Sequence, residues 1–240
     1  APGARTQATM LTLAAIALVI PAAFRSLVRS ADVAGGLDSL SISISVVLLI
    51  VYALYLFFTL VTHSALFAGT KTSEEGEAHK VPWTVGRATL VLAAATAVIA
   101  WISEILVGAI EPTAKEFGLT NVFIGVFVVA ILGNAAEHAT AISAAMKNRM
   151  ELALSIAIGS SIQVALFVAP VLVLLSLVLG PAPMNLAFPS GQVLIVLLSV
   201  LITGPVAGDG RSDWLRGVQL LAVYLVMGLA FLFAPGAAPR

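Results

Sequence analysis

Apolar residues run through this chain in seven long stretches separated by short polar connections. The stretches cover roughly Thr9 to Val28, Ser41 to Ala68, Val85 to Ile110, Asn121 to Met146, Leu152 to Leu179, Phe188 to Val206 and Trp214 to Ala234. A helix needs about 20 apolar residues to cross hydrocarbon roughly 30 Å thick, so each stretch predicts a membrane-crossing helix. Backbone groups in lipid must find partners within their own segment, and a barrel would show short alternating segments instead. The predicted fold class is therefore all-α, a polytopic membrane helix bundle of about seven transmembrane helices with nothing left over for a soluble domain. Turn and breaker residues mark the connections: Gly35-Gly36, Gly69 through Pro82, Glu111-Pro112, Lys147-Asn148-Arg149, Gly180 through Pro183, and Gly208-Asp209-Gly210.

Two interruptions of the apolar pattern stand out. In the fourth stretch Asn134, Glu137 and His138 are spaced i, i+3 and i+4, which on a continuous helix puts them on one face near mid-span. In the fifth, Gly159, Ser160 and Gln163 repeat that geometry, with Ser161 beside them. Ionisable groups at mid-membrane are costly and by default mark a transport or proton pathway. Small residues crowd both stretches, among them Gly125, Ala135, Ala139, Ala153 and Ala157. Small side chains let membrane helices approach closely, so these two are expected at the centre of the bundle, with the sixth and seventh peripheral. Gly133 and Gly159 are points where a membrane helix can break, freeing carbonyls as oxygen ligands and half-helix ends as fixed dipoles. The fourth and fifth helices are thus expected to be broken or kinked.

Composition narrows the chemistry. Of 240 residues, 60% are hydrophobic and 10% charged, with mean hydropathy +1.08, which excludes a soluble globular domain. Basic and acidic residues balance at 12 each, so no nucleic-acid partner and no polybasic surface segment is indicated. There is no cysteine, which leaves oxygen and imidazole as the only metal ligands. Oxygen ligation with a carboxylate selects hard cations, and Ca²⁺ takes six to eight oxygens. The metal-ligand candidates are Glu137, Asn134, Ser160, Ser161 and Gln163. One carboxylate against a divalent ion leaves an uncompensated charge in a low-dielectric place, so part of the site is expected from elsewhere. A proton and a cation competing for Glu137 is the minimum chemistry of an antiporter. His138 stands either as a proton relay or as an imidazole hydrogen-bonded to a neighbouring helix.

Lys and Arg concentrate in cytoplasmic loops. With the N-terminus inside, Arg5, Lys71, Lys80, Arg87, Lys147, Arg149, Arg211 and Arg216 fall on the inner side and Arg25, Arg29, Lys115 and Arg240 on the outer. That asymmetry predicts a cytoplasmic N-terminus and an external C-terminus. Ala1 to Thr9 does not read as a signal peptide, its only charge being Arg5, and the start at Ala1 reads as a piece of something longer.

The run Gly133-Asn134-Ala135-Ala136-Glu137-His138-Ala139-Thr140 with Lys147-Asn148, followed by Ala157-Ile158-Gly159-Ser160-Ser161-Ile162-Gln163 with Ala165-Leu166-Phe167, closely resembles the second signature repeat of the calcium/proton (cation/proton) exchangers of the calcium/cation antiporter superfamily. A weaker likeness extends over the whole chain, including Ser103-Glu104-Ile105-Leu106-Val107-Gly108. The resemblance implies alternating-access exchange of Ca²⁺ for protons, with Ca²⁺ as transported substrate, no cofactor and no enzymatic activity. It implies that Glu137 binds ion and proton and that Asn134, Ser160, Ser161 and Gln163 line the site. It also implies two inverted repeats, each with a glutamate in a Gly-Asn-Ala-x-Glu type motif, of which this sequence has only the second. On that pattern residues 1-70 are the last two helices of a first half, 71-84 an acidic cytoplasmic loop, and 85-240 a five-helix second half. The missing first half would come from the same longer chain or from a second copy, in what is expected to be the inner membrane of a bacterial cell.

Lesser signals have blander readings beside the functional ones. Glu104 with Ser103 marks either an ion or proton pathway or a carboxylate bonded within the bundle. Glu74, Glu75 and Glu77 form either a cation-recruiting segment, as their place in the family pattern implies, or a solvated loop. His63 and Trp83, Trp101 and Trp214 read as interfacial or packing residues. Exchange of Na⁺ or K⁺ is the nearest alternative function, and a half-bundle acting only as an assembly partner is another. An enzyme built on Glu137 and His138 lacks a nucleophile or a second ligand motif.

Overall fold

The computed structural model describes residues 2–27, 33–63, 83–180, 182–208 and 213–233. Among them the chain is helical throughout its regular structure: α1 (Pro2–Leu27), α2 (Val33–Phe57) with a closing π-helical turn Phe58–Thr62, and α3 (Val85–Phe117). α4 follows as Asn121–Phe123, a π-helical stretch Ile124–Val129 and Ala130–Gly133. Then come α5 (Ala135–Met146), and α6, made of Met150–Gln163, a π-helical stretch Val164–Val168 and Ala169–Leu179. α7 (Ser190–Gly208) and α8 (Trp214–Phe233) complete the order. Among the described residues five helices are long and apolar enough to cross a membrane, and six if α4 and α5 are one broken span. Gly191–Val206 is a shorter apolar helix. The protein is an integral membrane protein of all-α class.

Two connections differ from expectation, and a third lies outside the described residues. Gly35 and Gly36 lie inside α2 rather than in a turn. α3 runs through Glu111 and Pro112 to Phe117, closing at Gly118 with φ 63°, a left-handed cap that glycine adopts without strain. Membrane helices tolerate an internal proline because neighbouring groups satisfy the freed carbonyl. Residues 64–82, which contain Glu74, Glu75 and Glu77, lie outside the described residues.

Two compact units make up the chain. The first joins Ala1–Gly69 to Ala135–Tyr224. Its core is Ala14 of α1, Leu48 of α2 and Ile158, Ile162 and Leu166 of α6, the last two with no exposed surface. α6 is thus central, as its small residues indicate. α5 packs along α6 but keeps only Ala144 buried, and α7, expected at the periphery, packs along α1. The segment after α6 is pinned beneath the α1–α2 end: the Leu186 N–H donates to the buried Ser41 Oγ at 3.2 Å, and Arg25 Nη1 donates to the Ala187 carbonyl at 3.4 Å.

The second unit joins Thr70–Asn134 to Leu225–Arg240. Phe127 anchors it, its ring 5.3 Å from Phe123 and 6.1 Å from Phe231. Gly228 makes room for this ring, since a Cβ there would stand 3.0 Å from Phe127. At the start of α3 the Thr84 hydroxyl accepts the Arg87 N–H, and the Arg87 guanidinium lies 5.0 Å over Trp83. This is an exposed aromatic and basic pair of the kind found at membrane interfaces.

Candidate functional site

The first unit brings Glu137 and His138 of α5 onto the same helical hairpin as Ser160, Ser161 and Gln163 of α6. What makes the hairpin is the turn Lys147-Asn148-Arg149. Asn148 takes φ 58°, and asparagine is one of the few residues besides glycine that enters this region readily. The Arg149 N–H reaches back to the Ala144 carbonyl at 2.9 Å, and the Asn148 N–H to the Ala145 carbonyl at 3.0 Å, which satisfies the end of α5. Both helices then run back alongside each other. Glu137 precedes Asn148 by as many residues as Gly159 follows it, so at 1.5 Å per residue both lie about 16 Å from the turn, Gly159 comes level with Glu137 and Ser160 follows one residue further along.

Glu137 sits in the first turn of α5. There the unpaired backbone N–H groups and the positive end of the helix dipole favour a carboxylate. Across the hairpin the Ser161 Oγ–H donates to the Ala157 carbonyl at 3.2 Å, which turns its oxygen lone pairs away from its own backbone. Ser160 is half-buried, while Glu137, His138, Ser161 and Gln163 are exposed. The spacing of Gly159, Ser160 and Gln163 holds, because this part of α6 is α-helical. No break occurs at Gly159; the irregularity begins one residue past Gln163, where Val164–Val168 is π-helical. π-helical insertions are rare and occur often at functional sites.

Asn134 belongs to the second unit. The expected break falls on it rather than on Gly133: its φ and ψ of −102° and 15° leave the helix, and its N–H and Nδ2 both donate to the Ala130 carbonyl, at 3.1 and 2.9 Å. The helix that would have set Asn134 on one face with Glu137 and His138 is therefore interrupted at that residue. Ser103 and Glu104 lie exposed on α3 in the second unit. His63 ends the π-helical turn after α2, exposed, its ring stacked 4.1 Å from Phe58. Among the described residues no three His, Cys, Asp or Glu side chains converge as a metal cluster.

Residues that the sequence did not single out also border this region. Tyr52 of α2 packs on Phe167, in the π-helical stretch after Gln163, with centroids 5.4 Å apart. Gln7 of α1 is 5% exposed and buries a carbonyl oxygen without a partner. Gln7 lies just before the first apolar run and Tyr52 inside the second, so the pattern singles out neither.

The family model described as sodium/calcium exchanger protein matches residues 87–233. A Ca²⁺/H⁺ antiporter of Aphanothece halophytica is 40% identical over 97% of this chain and 65% of its own length. The Ca²⁺/H⁺ antiporter ChaA of Bacillus subtilis (strain 168) is 43% identical over 80% of this chain and 55% of its own. A solved structure described as native YfkE superposes with a TM-score of 0.76 at 39% identity, covering 96% of this chain and 63% of that one. The chain thus spans less than two thirds of the length of each of these relatives.

Proposed function

The chain belongs to the sodium/calcium exchanger protein family, and from that premise we propose that it exchanges Ca²⁺ for protons across a membrane by alternating access, with Glu137 as ion ligand and titrating group. The observation that carries the reading is the placement of Glu137 in the first turn of α5, on the packed hairpin whose other helix carries Ser160, Ser161 and Gln163. A carboxylate with hydroxyl and amide oxygens on the adjoining helix is a hard-cation donor set. Glu137, Asn134, Ser160, Ser161 and Gln163 are the proposed metal ligands, and His138 shares the proton coupling. Ser103 and Glu104 belong to the proposed pathway, and Glu74, Glu75 and Glu77 to cation recruitment at the cytoplasmic mouth. Relatives named as Ca²⁺/H⁺ antiporters support the choice of ions.

Physical cost argues that the site has a second side. A divalent ion on one carboxylate keeps a net positive charge, and an exposed Glu137 and Gln163 facing lipid would be costly. We assign residues 1-70 to the end of a first repeat half, 71-84 to a cytoplasmic loop and 85-240 to a second half. The rest of the first half, contributed by the same longer chain or by a second copy, supplies the balancing acid. The proposed setting is a bacterial inner membrane with the N-terminus cytoplasmic.

The test is uptake of radiolabelled Ca²⁺ into proteoliposomes carrying the full protein under an imposed pH gradient. Wild type should accumulate Ca²⁺ and Glu137→Gln should not. Uptake that survives the substitution sinks the role of Glu137, and uptake driven by a Na⁺ gradient but not by protons replaces the counter-ion.

A further inference from the structure

The buried face of α6 recurs at a spacing that a straight α-helix does not hold in line. Ile158, Ile162, Leu166 and Pro170 are buried, four residues apart, with Val173 after them. Four α-helical residues turn about 400°, so each step drifts about 40° round the axis and three steps drift about 120°. A slip of one residue takes back about 100° and returns the stripe to one side. That slip is the π-helical stretch Val164–Val168, closed by the Ala169 N–H donating to the Val164 carbonyl, five residues back.

Pro170 accounts for the slip being here. It has no N–H to give the Leu166 carbonyl four residues before it, and in an α-helix its ring would press on that carbonyl. Pro21, Pro112 and Pro205 lie inside continuous α-helices, so a proline alone does not make a π-helical turn. At Pro170 the missing donor coincides with a buried stripe that needs the slip, and the proline ring is itself fully buried.

The slip divides α6 into two halves held by different neighbours. Met150–Gln163 packs along α1 and α5, and Ala169–Leu179 along α2. The second half is also pinned at its end. There the Ser176 Oγ donates to the Val173 carbonyl at 2.7 Å and accepts the Met184 N–H at 2.8 Å, and Leu186 beyond it is held by Ser41. The first half carries Ser160 and Gln163, and Gln163 is the residue immediately before the slip. The Val164 N–H is shared between the Ser160 and Ser161 carbonyls, so the change of pattern starts at these serines.

We propose that Pro170 is a positioning residue. By denying the hydrogen bond that a continuous α-helix needs, it locks the π-helical turn and so fixes the angle of Gln163 and Ser160 relative to the pinned half of α6. It touches no ion. Without it, Val164–Val168 closes into α-helix and the Gln163 end turns by about 100° against the Val173 end, which moves the amide and the hydroxyl out of the proposed donor set. The lock is a matter of backbone chemistry, whereas its bearing on Ca²⁺ rests on the ion site proposed above.

Three variants of the full protein test it. In a high-resolution map of Pro170→Ala, Val164–Val168 should be α-helical, with an N–H at position 170 bonded to the Leu166 carbonyl. In proteoliposomes the same variant should raise the Ca²⁺ concentration at half-maximal uptake severalfold while the maximal rate per folded protein holds. A general loss of folded protein would do the reverse. Deleting Val168 in the Pro170→Ala background removes the extra residue, so a continuous α-helix then has the native angle and half-saturation should return toward wild type. A π-helical turn that persists in Pro170→Ala, or no recovery on deleting Val168, overturns the proposal. So does an unmoved half-saturation in Pro170→Ala where Gln163→Ala moves it. If Pro170→Ala fails to fold, the deletion variant decides by the same readout: wild-type half-saturation supports the lock and a raised one overturns it. Gln163→Ala separates the failures, because half-saturation that survives it refutes the place of Gln163 in the ion site and leaves the lock to the map.

Discussion

Tyr52 of α2 rests on Phe167 of α6 with ring centroids 5.4 Å apart and planes inclined by 31°. This contact ties a helix from the beginning of the chain to the π-helical stretch that begins immediately after Gln163. The hydrophobic effect offers little to helix pairs in lipid, so side-chain packing decides where they sit. A ring pair at this point fixes the rotation of α6 where its polar face ends.

Replacing either ring by leucine should therefore loosen α6 without emptying the core. Tyr52→Leu and Phe167→Leu are each expected to lose about 0.5 to 1.5 kcal/mol of ring–ring interaction. Thermal unfolding of both single variants and the double variant in one detergent checks this. The double should cost less than the two singles together. Additive losses would mean that the rings do not act as a pair.

The hairpin that levels Glu137 with Gly159 depends on Asn148 at φ 58°. Asn148→Gly should leave stability unchanged or raise it slightly, because glycine enters the left-handed region freely. Asn148→Val should cost about 1 to 2 kcal/mol and lower the melting temperature. Equal behaviour of the two variants would show that this turn geometry is not what joins α5 to α6.

Much of this architecture is legible in the amino-acid sequence. The apolar runs locate every helix, because a segment that must satisfy its own backbone in lipid has only one way to do so. Glu137, His138, Ser160, Ser161 and Gln163 stand out because polar groups in such runs are costly. What stays hidden has physical reasons as well. Pro112 reads as a breaker in water but is accommodated inside α3, and Gly35-Gly36 reads as a turn although both residues are helical in α2. The π-helical stretches at Ile124–Val129 and Val164–Val168 add a residue within a helix while leaving its apolar character unchanged. Gln7 falls just outside the first apolar run, so the pattern gives no sign of its burial, and Tyr52 looks like any aromatic in a membrane helix. The division into two units, with Asn134 and Ala135 on either side, leaves no mark in the hydropathy pattern.

In the second unit, Gly228 is where the end of α8 receives Phe127. Any side chain there meets the ring, since even a Cβ would stand 3.0 Å from it. Gly228→Val is expected to cost about 1 to 3 kcal/mol by overpacking. Phe127→Leu in the same chain should restore part of that loss by withdrawing the ring. If Gly228→Val unfolds at the wild-type temperature, the close approach is not maintained in the membrane.

The competition proposed at Glu137 has a definite sign. Ca²⁺ binds the ionised carboxylate and a proton removes it, so protonation must weaken Ca²⁺ binding and Ca²⁺ must expel the proton. Apparent Ca²⁺ affinity should fall as pH falls, by up to about tenfold per pH unit once the free carboxyl is mostly protonated, and should level off where it is ionised. Each Ca²⁺ bound in weakly buffered detergent solution below that plateau should release protons, measurable with a pH indicator. In Glu137→Gln the amide cannot titrate, so residual Ca²⁺ binding should be weak and should lose this part of its pH dependence. Glu137→Asp keeps the charge but shortens the reach, and should retain the pH dependence at reduced affinity. The same pH dependence in Glu137→Gln as in wild type would place the titrating group elsewhere, with His138 and the balancing acid of the first half the first to replace.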